Sequence, residues 1–402
     1  MATPSAIRTA AVMDSICRDR DAPRSTTVRT AGRITAAALL GSAWHFGVAG
    51  PLAAPLLVVT VTPATDRRLR SATAFAYFLA GSSGLPAGAA TFFGPGHGAI
   101  SGYGLWIVSA FLLALPWAWA SGGRGVLVAL LLDAVPPLGC FGWLSPLTSA
   151  GIFFPGTGLA GLAALLGVLG CAGARIWPVV RAGLAAAALV NLLFLCLGKP
   201  PAPPAGWIGI DTRAGPVPGS LIAATMQRAR WLATLRHETR RAHVVVLPET
   251  VAGPWWPGTA AQIRAAVPPG QTWLVGATAW VRSRRTDAVM KIPGADQEPR
   301  PLFISPFPVP VSMWRPWTHG SYQAGWWEPA RTVAGVRVWA ALCYDQLLPW
   351  VWVEGVIEAP RVVIAVSNDW WAQGTSAATI QRATTWGWTR LMGAALVRAE
   401  NR

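Results

Sequence analysis

The chain has 402 residues, of which 53% are hydrophobic and only 12% are charged, and its mean hydropathy is +0.41. Soluble domains carry about 25% charged residues, so this composition argues against a wholly soluble protein and indicates a membrane protein with a soluble part. The formal net charge is +16, but the basic residues are scattered along the chain. We therefore expect no direct nucleic-acid partner, and the anionic lipid of a bilayer is the better match for this charge.

The N-terminal half is predicted to be a basic tail followed by a membrane region. Residues 1–33 carry six arginines without apolar periodicity, which indicates a cytoplasmic tail. Residues 34–198 are predicted to form a transmembrane region of about seven helices, since each span needs about 20 mostly apolar residues. The first two form a short hairpin that could instead be one long span or a re-entrant pair. The predicted spans lie near 34–49, 51–64, 71–93, 100–120, 125–144, 152–173 and 178–197.

Loop charges predict the orientation of these spans. Arginines lie after the hairpin, after the fourth span and between the sixth and seventh, whereas the loops near 94–99 and 145–151 carry no Lys or Arg. Basic loops stay in the cytoplasm, so seven spans would place the C-terminal half outside, and six would leave it inside. The loop charges favour seven. We therefore predict a multi-pass inner-membrane protein with its C-terminal domain in the periplasm.

Three polar residues fall inside predicted spans: Asp133, His45 and Asn191. An intramembrane carboxylate is a candidate functional group, and a transporter could use one. However, no second intramembrane charge offers Asp133 a partner. We therefore favour a structural role for Asp133, facing the bundle interior and hydrogen-bonded there.

The C-terminal half has the pattern of an α/β domain. A Pro-rich linker at 199–206 precedes a domain at 207–402 in which strand-like and helix-like segments alternate. The predicted strands are 207–210, 243–247, 272–281, 336–342, 362–366 and 396–399. The predicted helices are 220–241, 260–267 and 377–392.

Two residues at the ends of apolar strands suggest a catalytic pair. Cys343 follows Val336–Leu342 and is the only cysteine in the second half of the chain, so it has no disulfide partner within its own domain. Glu249 follows the apolar run Val-Val-Val-Leu-Pro, and burial there would raise its pKa towards neutrality. A thiol needs a base to accept a proton. Glu249 as base and Cys343 as nucleophile fit that need better than a surface glutamate and an inert buried thiol.

These motifs resemble the nitrilase (carbon–nitrogen hydrolase) superfamily. Leu-Pro-Glu249, Cys343-Tyr-Asp and Asn368-Asp-Trp370-Trp occur in the family's order. A multi-span region before such a domain is similar in layout to apolipoprotein N-acyltransferase. The resemblance implies an αββα sandwich of two packed sheets between helices, and a Glu-Lys-Cys triad. It assigns Glu249 as base and Cys343 as nucleophile, and it places Tyr344, Asn368 and Trp370 at the substrate pocket.

The triad lysine has no clear counterpart in this chain. Aligning the acyltransferase pattern on the segment after residue 308 puts Ser305 at the lysine and Met313 at a second glutamate. Lys291 is the one lysine available within the strands, although its own segment looks like an earlier strand. Lys291 is therefore the candidate third member of the triad. Neighbouring arginines such as Arg300 or Arg315 would not be equivalent donors.

The whole chain also resembles the TraB-type family of plasmid conjugal transfer proteins, through the segment Phe-Pro-Val-Pro-Val-Ser-Met-Trp-Arg-Pro-Trp at 307–317. This resemblance implies a role in conjugation, with proteins of the conjugation apparatus as partners. The substrate, an amide or an acyl lipid, is implied by the carbon–nitrogen hydrolase resemblance instead. Two hypotheses remain open: an enzyme acting through a Cys343 thioester, and a scaffold with a degenerate domain. No cofactor is expected, and the five widely spaced His residues indicate no metal site.

Overall fold

The computed structural model describes residues 27–94, 96–197, 201–281, 283–294 and 298–402. The predicted basic tail therefore lies mostly outside the described residues. Residues 27–42 are helical, so helix is already present ahead of the predicted boundary at 34. Residues 198–200 at the start of the predicted linker also lie outside the description, and residues 201–206 contain neither helix nor strand.

The N-terminal region is helical throughout, but most of its helices are short. In chain order they are α1 (27–42), α2 (Ala49–Ala53), α3 (Leu56–Val61), α4 (Arg67–Gly81), α5 (Leu85–Phe93), α6 (His97–Ala114), α7 (Gly123–Ala134), α8 (Ala150–Phe153), α9 (Leu159–Gly173) and α10 (Trp177–Leu197). Each of the seven predicted spans contains helical residues. Within the described residues, however, only Gly98–Trp119 and Trp177–Cys196 are long and apolar enough, by length and composition, to cross a membrane.

Glycine and proline explain why several predicted spans are not single helices. The stretch 71–93 is divided into α4 and α5 at residues 82–84, just before Pro86 at the start of α5. The stretch 125–144 ends its α-helix at Ala134, and Pro136 and Pro137 follow. Proline cannot donate the backbone hydrogen bond that continues a helix. The apolar segments are therefore longer than the α-helices that they contain.

The polar residues inside these helices are bonded within the bundle. The indole N–H of Trp117 donates to Asp133 Oδ2 at 2.7 Å, the His45 ring lies 3.2 Å from the Gly81 carbonyl, and the Asn191 amide donates to the Ile152 carbonyl at 2.9 Å. The bond from Trp117 gives Asp133 the hydrogen-bond partner that a structural role in the bundle requires.

The helical bundle has a basic end and an end that carries the C-terminal domain. Arg70, at the start of α4, donates to the carbonyls of Ala64 and Ala118, which brings the loop before α4 next to the loop before α7. The end of α9 packs on the start of α7. The predicted basic loops therefore meet at one end of the bundle. The loops after α4 and α7 lie against the C-terminal domain instead, with Gly84 beside Thr375 and Gly142 beside Pro349.

The C-terminal domain contains two β-sheets. The first is β1 (Trp207–Gly209), β2 (Val244–Leu247), β3 (Thr272–Val281), β4 (Arg284–Pro293) and β5 (Arg300–Ile304), in that order; β1 to β3 are parallel and β3 to β5 antiparallel. The second is β6 (Arg331–Val333), β7 (Val336–Leu342), β8 (Val362–Asn368) and β9 (Ala395–Asn401), with β7 to β9 parallel. The mixed α/β prediction for this domain is confirmed.

The two sheets pack face to face between layers of helices. Alternate residues of both sheets, such as Val246, Val289, Ala340 and Ile364, form one core between them. Helices α11 (Leu221–Glu238) and α12 (Pro257–Arg264) cover the outer face of the first sheet. Helices α13 (Pro349–Glu358) and α14 (Ala377–Met392) cover the outer face of the second. The strands are apolar on both faces because both faces are buried.

Helix α14 joins the domain to the helical bundle. It packs on α8 so closely that a Cβ on Gly151 would lie 1.7 Å from the Gly387 carbonyl oxygen. Arg390, near the end of α14, donates to the Gly151 carbonyl at 3.1 Å and to the Asn191 side chain of α10 at 2.8 Å. The core of the bundle and the core beneath α14 are therefore continuous.

Replacing Gly151 with alanine should destabilise the whole protein. The added methyl group meets backbone rather than a flexible side chain, and such overpacking costs about 1–3 kcal/mol. Gly167, in the middle of α9, is the matched control because nothing lies within 4 Å of its Cβ position, and alanine there should be neutral or stabilising by about 0.5–1 kcal/mol. Thermal unfolding in detergent, followed by tryptophan fluorescence, measures both. Equal unfolding temperatures for the two variants would contradict the close α8–α14 contact.

Candidate active site

Glu249 and Cys343 meet at the edge where parallel strands of both sheets end. Glu249 lies two residues after β2, and Cys343 follows β7 directly. Because β2 lies against β8 and β9 of the other sheet, the carboxyl ends of these strands face one another. The Glu249 carboxyl is hydrogen-bonded to the Cys343 thiol. The structure therefore brings together the two residues that the sequence predicts as base and nucleophile.

Cys343 occupies a strained turn. Its φ of 42° lies in the left-handed region, which a side chain makes costly outside glycine, and it begins a short 3-10 helix, Cys343–Leu347. Asp345 holds this turn by accepting from the backbone N–H groups of Leu342 (3.3 Å) and Phe307 (2.9 Å). Gln381 of α14 donates to the Cys343 carbonyl at 3.1 Å. Strain of this kind persists only where neighbours enforce it, and it is typical of active sites.

Glu249 is held by close backbone packing. Gly276 of β3 lies beside it, and a Cβ there would come within 2.2 Å of the Pro248 carbonyl oxygen. Only glycine allows that approach. The next residue, Thr250, has a φ of 49°. Cys343 therefore lies in left-handed backbone itself, and Glu249 directly precedes a residue that does.

Asp287 of β4 is a third acidic residue at this site. Its carboxyl is hydrogen-bonded to that of Glu249. Burial, followed by the charge of Asp287, raises the pKa of Glu249 well above its ordinary value, and burial raises the pKa of Asp287 to about 6. Two carboxyls in hydrogen-bonding contact need a proton between them, so the pair holds one proton near neutral pH.

The thiol of Cys343 is neutral in this environment. Burial raises its pKa well above the ordinary value, and the charges of Glu249 and Asp369 raise it further. The backbone N–H of Asn368 acts in the opposite direction by donating to the sulfur. The pKa of Asp369 itself is raised to about 6, mainly by burial. Any nucleophilic attack would therefore require the proton to leave the sulfur during the reaction.

Asn368 connects the site to the end of the chain. Its side-chain amide donates to Thr250 Oγ1 at 2.7 Å, and its carbonyl accepts from Asn401 at 2.7 Å. Asn401 in turn accepts from Thr212 Oγ1 at 2.9 Å. This network fixes the loop that carries Glu249 relative to β8 and β9.

The remaining predicted residues have other contacts. Tyr344 donates its hydroxyl to the Cys140 carbonyl of the bundle at 2.6 Å, and Trp370 stacks on Phe92 of α5 with ring centres 6.0 Å apart. Lys291 pairs with Leu274, opposite the middle of β2, whereas Asp287 pairs with Thr278 near the site. Four residues of strand separate Lys291 from Asp287, about 13 Å. The structure gives Lys291 no contact with Glu249 or Cys343, so its role as the triad lysine stays a prediction.

Ser305 lies closer to the site than Lys291 does. It is 1% exposed, its backbone N–H donates to the Asp287 carbonyl at 2.9 Å, and its side chain is hydrogen-bonded to Asp345. The position that the acyltransferase pattern gives to lysine is thus beside the acidic pair but holds a short neutral side chain.

Comparison with known proteins gives two relatives along most of the chain. The conjugal transfer protein TraB of Agrobacterium fabrum is 34% identical over 367 residues, which cover 84% of each chain. A probable conjugal transfer protein TraB of Sinorhizobium fredii is 33% identical over 353 residues, which cover 84% of this chain and 89% of the relative. This chain belongs to the TraB family.

More distant comparisons add little to the TraB assignment. No protein-family model matches the chain. A glutamine-dependent NAD+ synthetase from Acinetobacter baumannii, solved with ADP, matches 40% of this chain and 32% of its own at 11% identity and a TM-score of 0.29. A TM-score this low does not establish a shared fold. Among the described residues of this TraB-family protein, no group of three or more His, Cys, Asp or Glu is placed to hold a metal ion.

Replacing Asp369 with asparagine should make Cys343 more reactive above about pH 6. Asp369 is ionised there, and removing its charge lowers the thiol pKa. Each unit by which the thiol pKa falls raises the thiolate fraction about tenfold. Below pH 6 the carboxyl is protonated and the difference should disappear. Alkylation of Cys343 by iodoacetamide, followed by peptide mass spectrometry across pH, measures this. Glu298→Gln, at an exposed carboxylate, is the control, and equal rates in both variants at pH 8 would contradict the assignment.

Proposed function

We propose that this protein is a membrane component of plasmid conjugal transfer whose C-terminal domain is a cysteine-dependent carbon–nitrogen hydrolase or acyltransferase. The conjugal role rests on the names of the two TraB relatives. The catalytic role rests on one observation: the Cys343 thiol, on a strained turn at the end of β7, is hydrogen-bonded to the buried carboxyl of Glu249. A nucleophile in contact with a base is the minimum unit of this chemistry.

The proposed reaction proceeds through a thioester. The Cys343 sulfur attacks an acyl carbonyl carbon while its proton passes through Glu249 to the Glu249–Asp287 pair, which holds one proton and accepts a second, so a C–S bond forms as the thiol is deprotonated. The tetrahedral intermediate collapses, the bond to the amine or alcohol breaks, and that leaving group takes a proton back from the pair. Water or a second acceptor then releases the acyl group by the reverse steps. The backbone N–H of Asn368, which donates to the sulfur, is placed to stabilise developing negative charge.

The layered architecture supports assignment to the nitrilase superfamily. That resemblance implies two packed sheets between helices, and this domain has α11 and α12 outside one sheet and α13 and α14 outside the other. Glu249 follows β2 and Cys343 follows β7, which belong to different sheets and end at the same edge of the domain.

We further propose that the N-terminal bundle spans the inner membrane with the domain on the periplasmic side. Within the described ranges, two helices reach spanning length. Large apolar side chains are exposed on many of the bundle's helices, as Val59, Phe111, Leu131, Leu159 and Leu192 illustrate. The basic loops gather at the end of the bundle away from the domain. Basic loops remain cytoplasmic, so the domain is assigned to the opposite side.

A catalytically silent scaffold is the second candidate function. One observation favours it: Ser305 stands at the position that the acyltransferase pattern gives to lysine, and the strongest charges acting on Cys343 are negative. A thiol in that environment is a poor nucleophile unless a substrate changes its surroundings. In this alternative the domain would act without catalysis, as a membrane scaffold that supports assembly of the conjugation apparatus.

An acyl-enzyme should form on Cys343 if the catalytic proposal is right. Detergent-purified protein treated with an activated ester should gain one acyl mass that hydroxylamine removes. Cys343→Ala should abolish the adduct, and Glu249→Gln should slow it by about a hundredfold or more, the usual contribution of a general base. Cys171→Ala is the control and should label normally. An adduct that persists in Cys343→Ala, or none in the unaltered protein, would favour the scaffold.

Cysteines introduced at two open glycines should report the membrane orientation. Gly122 lies in the basic loop before α7 and Gly320 in the domain, and neither has atoms within 4 Å of its Cβ position. A membrane-impermeant maleimide applied to spheroplasts should label Gly320→Cys at once and Gly122→Cys only after permeabilisation. The unaltered protein measures background. Labelling of Gly122→Cys in intact spheroplasts would contradict the proposed orientation.

A further inference from the structure

The C-terminal domain exposes tryptophan side chains on one long loop. Residues 307–327, here called the aromatic loop, lie between β5 and β6. They include the exposed side chains of Trp317, Trp326 and Trp327, and they contain no Asp or Glu. Tryptophan combines an apolar ring with a polar N–H group, so exposed tryptophans are typical of surfaces that lie between water and an apolar phase.

The aromatic loop is continuous with the exposed apolar surface of the helical bundle. The last turns of α7 expose Leu131 and Val135. Just beyond them, a Cβ on Gly139 would lie 3.3 Å from the ring of Trp350, and the centre of that ring lies 6.1 Å from the centre of the Trp326 ring. An uncharged path therefore leads from the exposed side of α7 to the aromatic loop.

Aromatic packing gives the loop a firm base. The Phe307 ring centre lies 4.9 Å from that of Trp314 and 5.5 Å from that of Trp326, and the two indoles meet edge to face at 6.1 Å. Trp317 follows three residues after Trp314 and remains 69% exposed. A side chain presented from an ordered base loses little conformational freedom when it binds a surface.

The loop also carries a cation without an acidic partner. No described carboxylate forms an ion pair with the Arg315 guanidinium, and its buried Nε has no acceptor among the described residues. His319, four residues later, is exposed. Guanidinium groups bind phosphates through parallel hydrogen bonds, and anionic lipids attract basic residues that lie close to a membrane surface. The charge of the loop therefore matches a lipid headgroup layer.

We propose that the aromatic loop is an interfacial anchor, with its tryptophans and Arg315 in the anionic headgroup layer on the side of the membrane that carries the domain. This inference rests on the proposed membrane placement of the bundle and adds a second contact, made by the domain itself. Its continuity with α7 puts the loop where the exposed apolar surface of the bundle ends. The headgroup layer is wet, so the turn at 318–320 stays within reach of aqueous reagents while the indole rings contact lipid.

The anchor is hydrogen-bonded beside the candidate active site at both of its ends. At its start, the Phe307 N–H donates to Asp345, the residue that holds the Cys343 turn. Near its end, the Gly325 N–H donates to the carbonyl of Ser305 at 3.0 Å. Contact between the loop and lipid would therefore hold the edge of the domain that carries Cys343 close to the bilayer surface.

The test is quenching of a probe on the loop by labelled lipid. An NBD group is attached to Trp317→Cys in the full-length protein, in nanodiscs of phosphatidylcholine and phosphatidylglycerol. Quenching is measured with lipid that carries a doxyl group near its headgroup and, separately, with aqueous iodide. We expect the doxyl lipid to remove most of the fluorescence. Quenching by iodide alone, or by neither quencher, would overturn the proposal, since water or another protein chain would then cover the loop.

Two further positions make the result interpretable. Ile222→Cys on α11 is the matched control, because Ile222 is 73% exposed and lies in the helical layer farthest from the bundle. It should respond to iodide and not to the doxyl lipid, and equal lipid quenching at both positions would overturn the proposal. Leu192→Cys on α10 tests the bundle. Lipid quenching there but not at Trp317→Cys would refute this inference alone, whereas none at either position would refute the membrane placement as well. The unaltered protein measures labelling of native cysteines.

Arg315 variants test the charge of the anchor. Lipid quenching at Trp317→Cys should increase with the fraction of phosphatidylglycerol in the nanodisc. Arg315→Gln should remove most of that increase, and Arg315→Lys should keep much of it because the positive charge is retained. An increase that is the same with Arg315→Gln as without it would contradict the proposed headgroup contact. Neither measurement depends on acyl-enzyme formation, so the catalytic proposal stands or falls separately.

Discussion

The face-to-face packing of the two sheets determines which side chains meet at the candidate site. Glu249 and Cys343 are far apart in the chain and belong to different sheets. They meet only because residues such as Val246 and Ile364 form one shared apolar core that holds β2 against β8. The edge at which the parallel strands end then collects the polar side chains that follow them. The strained backbone at Cys343 persists because this core and the hydrogen bonds made by Gln381 and Asp345 hold it in place.

The same packing gathers acidic side chains around the Cys343 thiol. Sheet packing brings Asp287 from β4 and Asp369 from the end of β8 to a thiol that already contacts a glutamate, while Ser305 stands at the position that the acyltransferase pattern gives to lysine. The neighbouring carboxylates raise the thiol pKa, so the thiolate of Cys343 forms less readily. Catalysis, in which the proton leaves the sulfur during attack, and a silent scaffold are the two candidate outcomes of this arrangement.

Much of the domain could be predicted from the sequence because its patterns are local. The strands 272–281 and 336–342 and the helix 377–392 coincide with β3, β7 and α14. Helix α13 was missed because its Val and Trp residues favour strands by composition. The sequence does not identify Asp287 as a site residue, because its place depends on which residue of β3 it pairs with in the folded sheet. An acidic residue between Thr and the apolar run Ala-Val-Met is nevertheless unusual in a buried strand and could have indicated it. Predicted span lengths exceeded the helices where glycine and proline interrupt them, since apolar composition persists through such breaks.

The most direct test of the account is whether conjugation needs the Cys343 sulfur. Plasmid transfer frequency is compared between strains carrying the unaltered protein, Cys343→Ala and Cys171→Ala, with the amount of each protein in the membrane fraction measured in parallel. If Cys343 is the nucleophile, Cys343→Ala should reduce transfer by about a hundredfold or more, as expected for loss of a nucleophile, at an unchanged protein level, while Cys171→Ala should transfer normally. Normal transfer by Cys343→Ala would contradict a catalytic role for this site in conjugation.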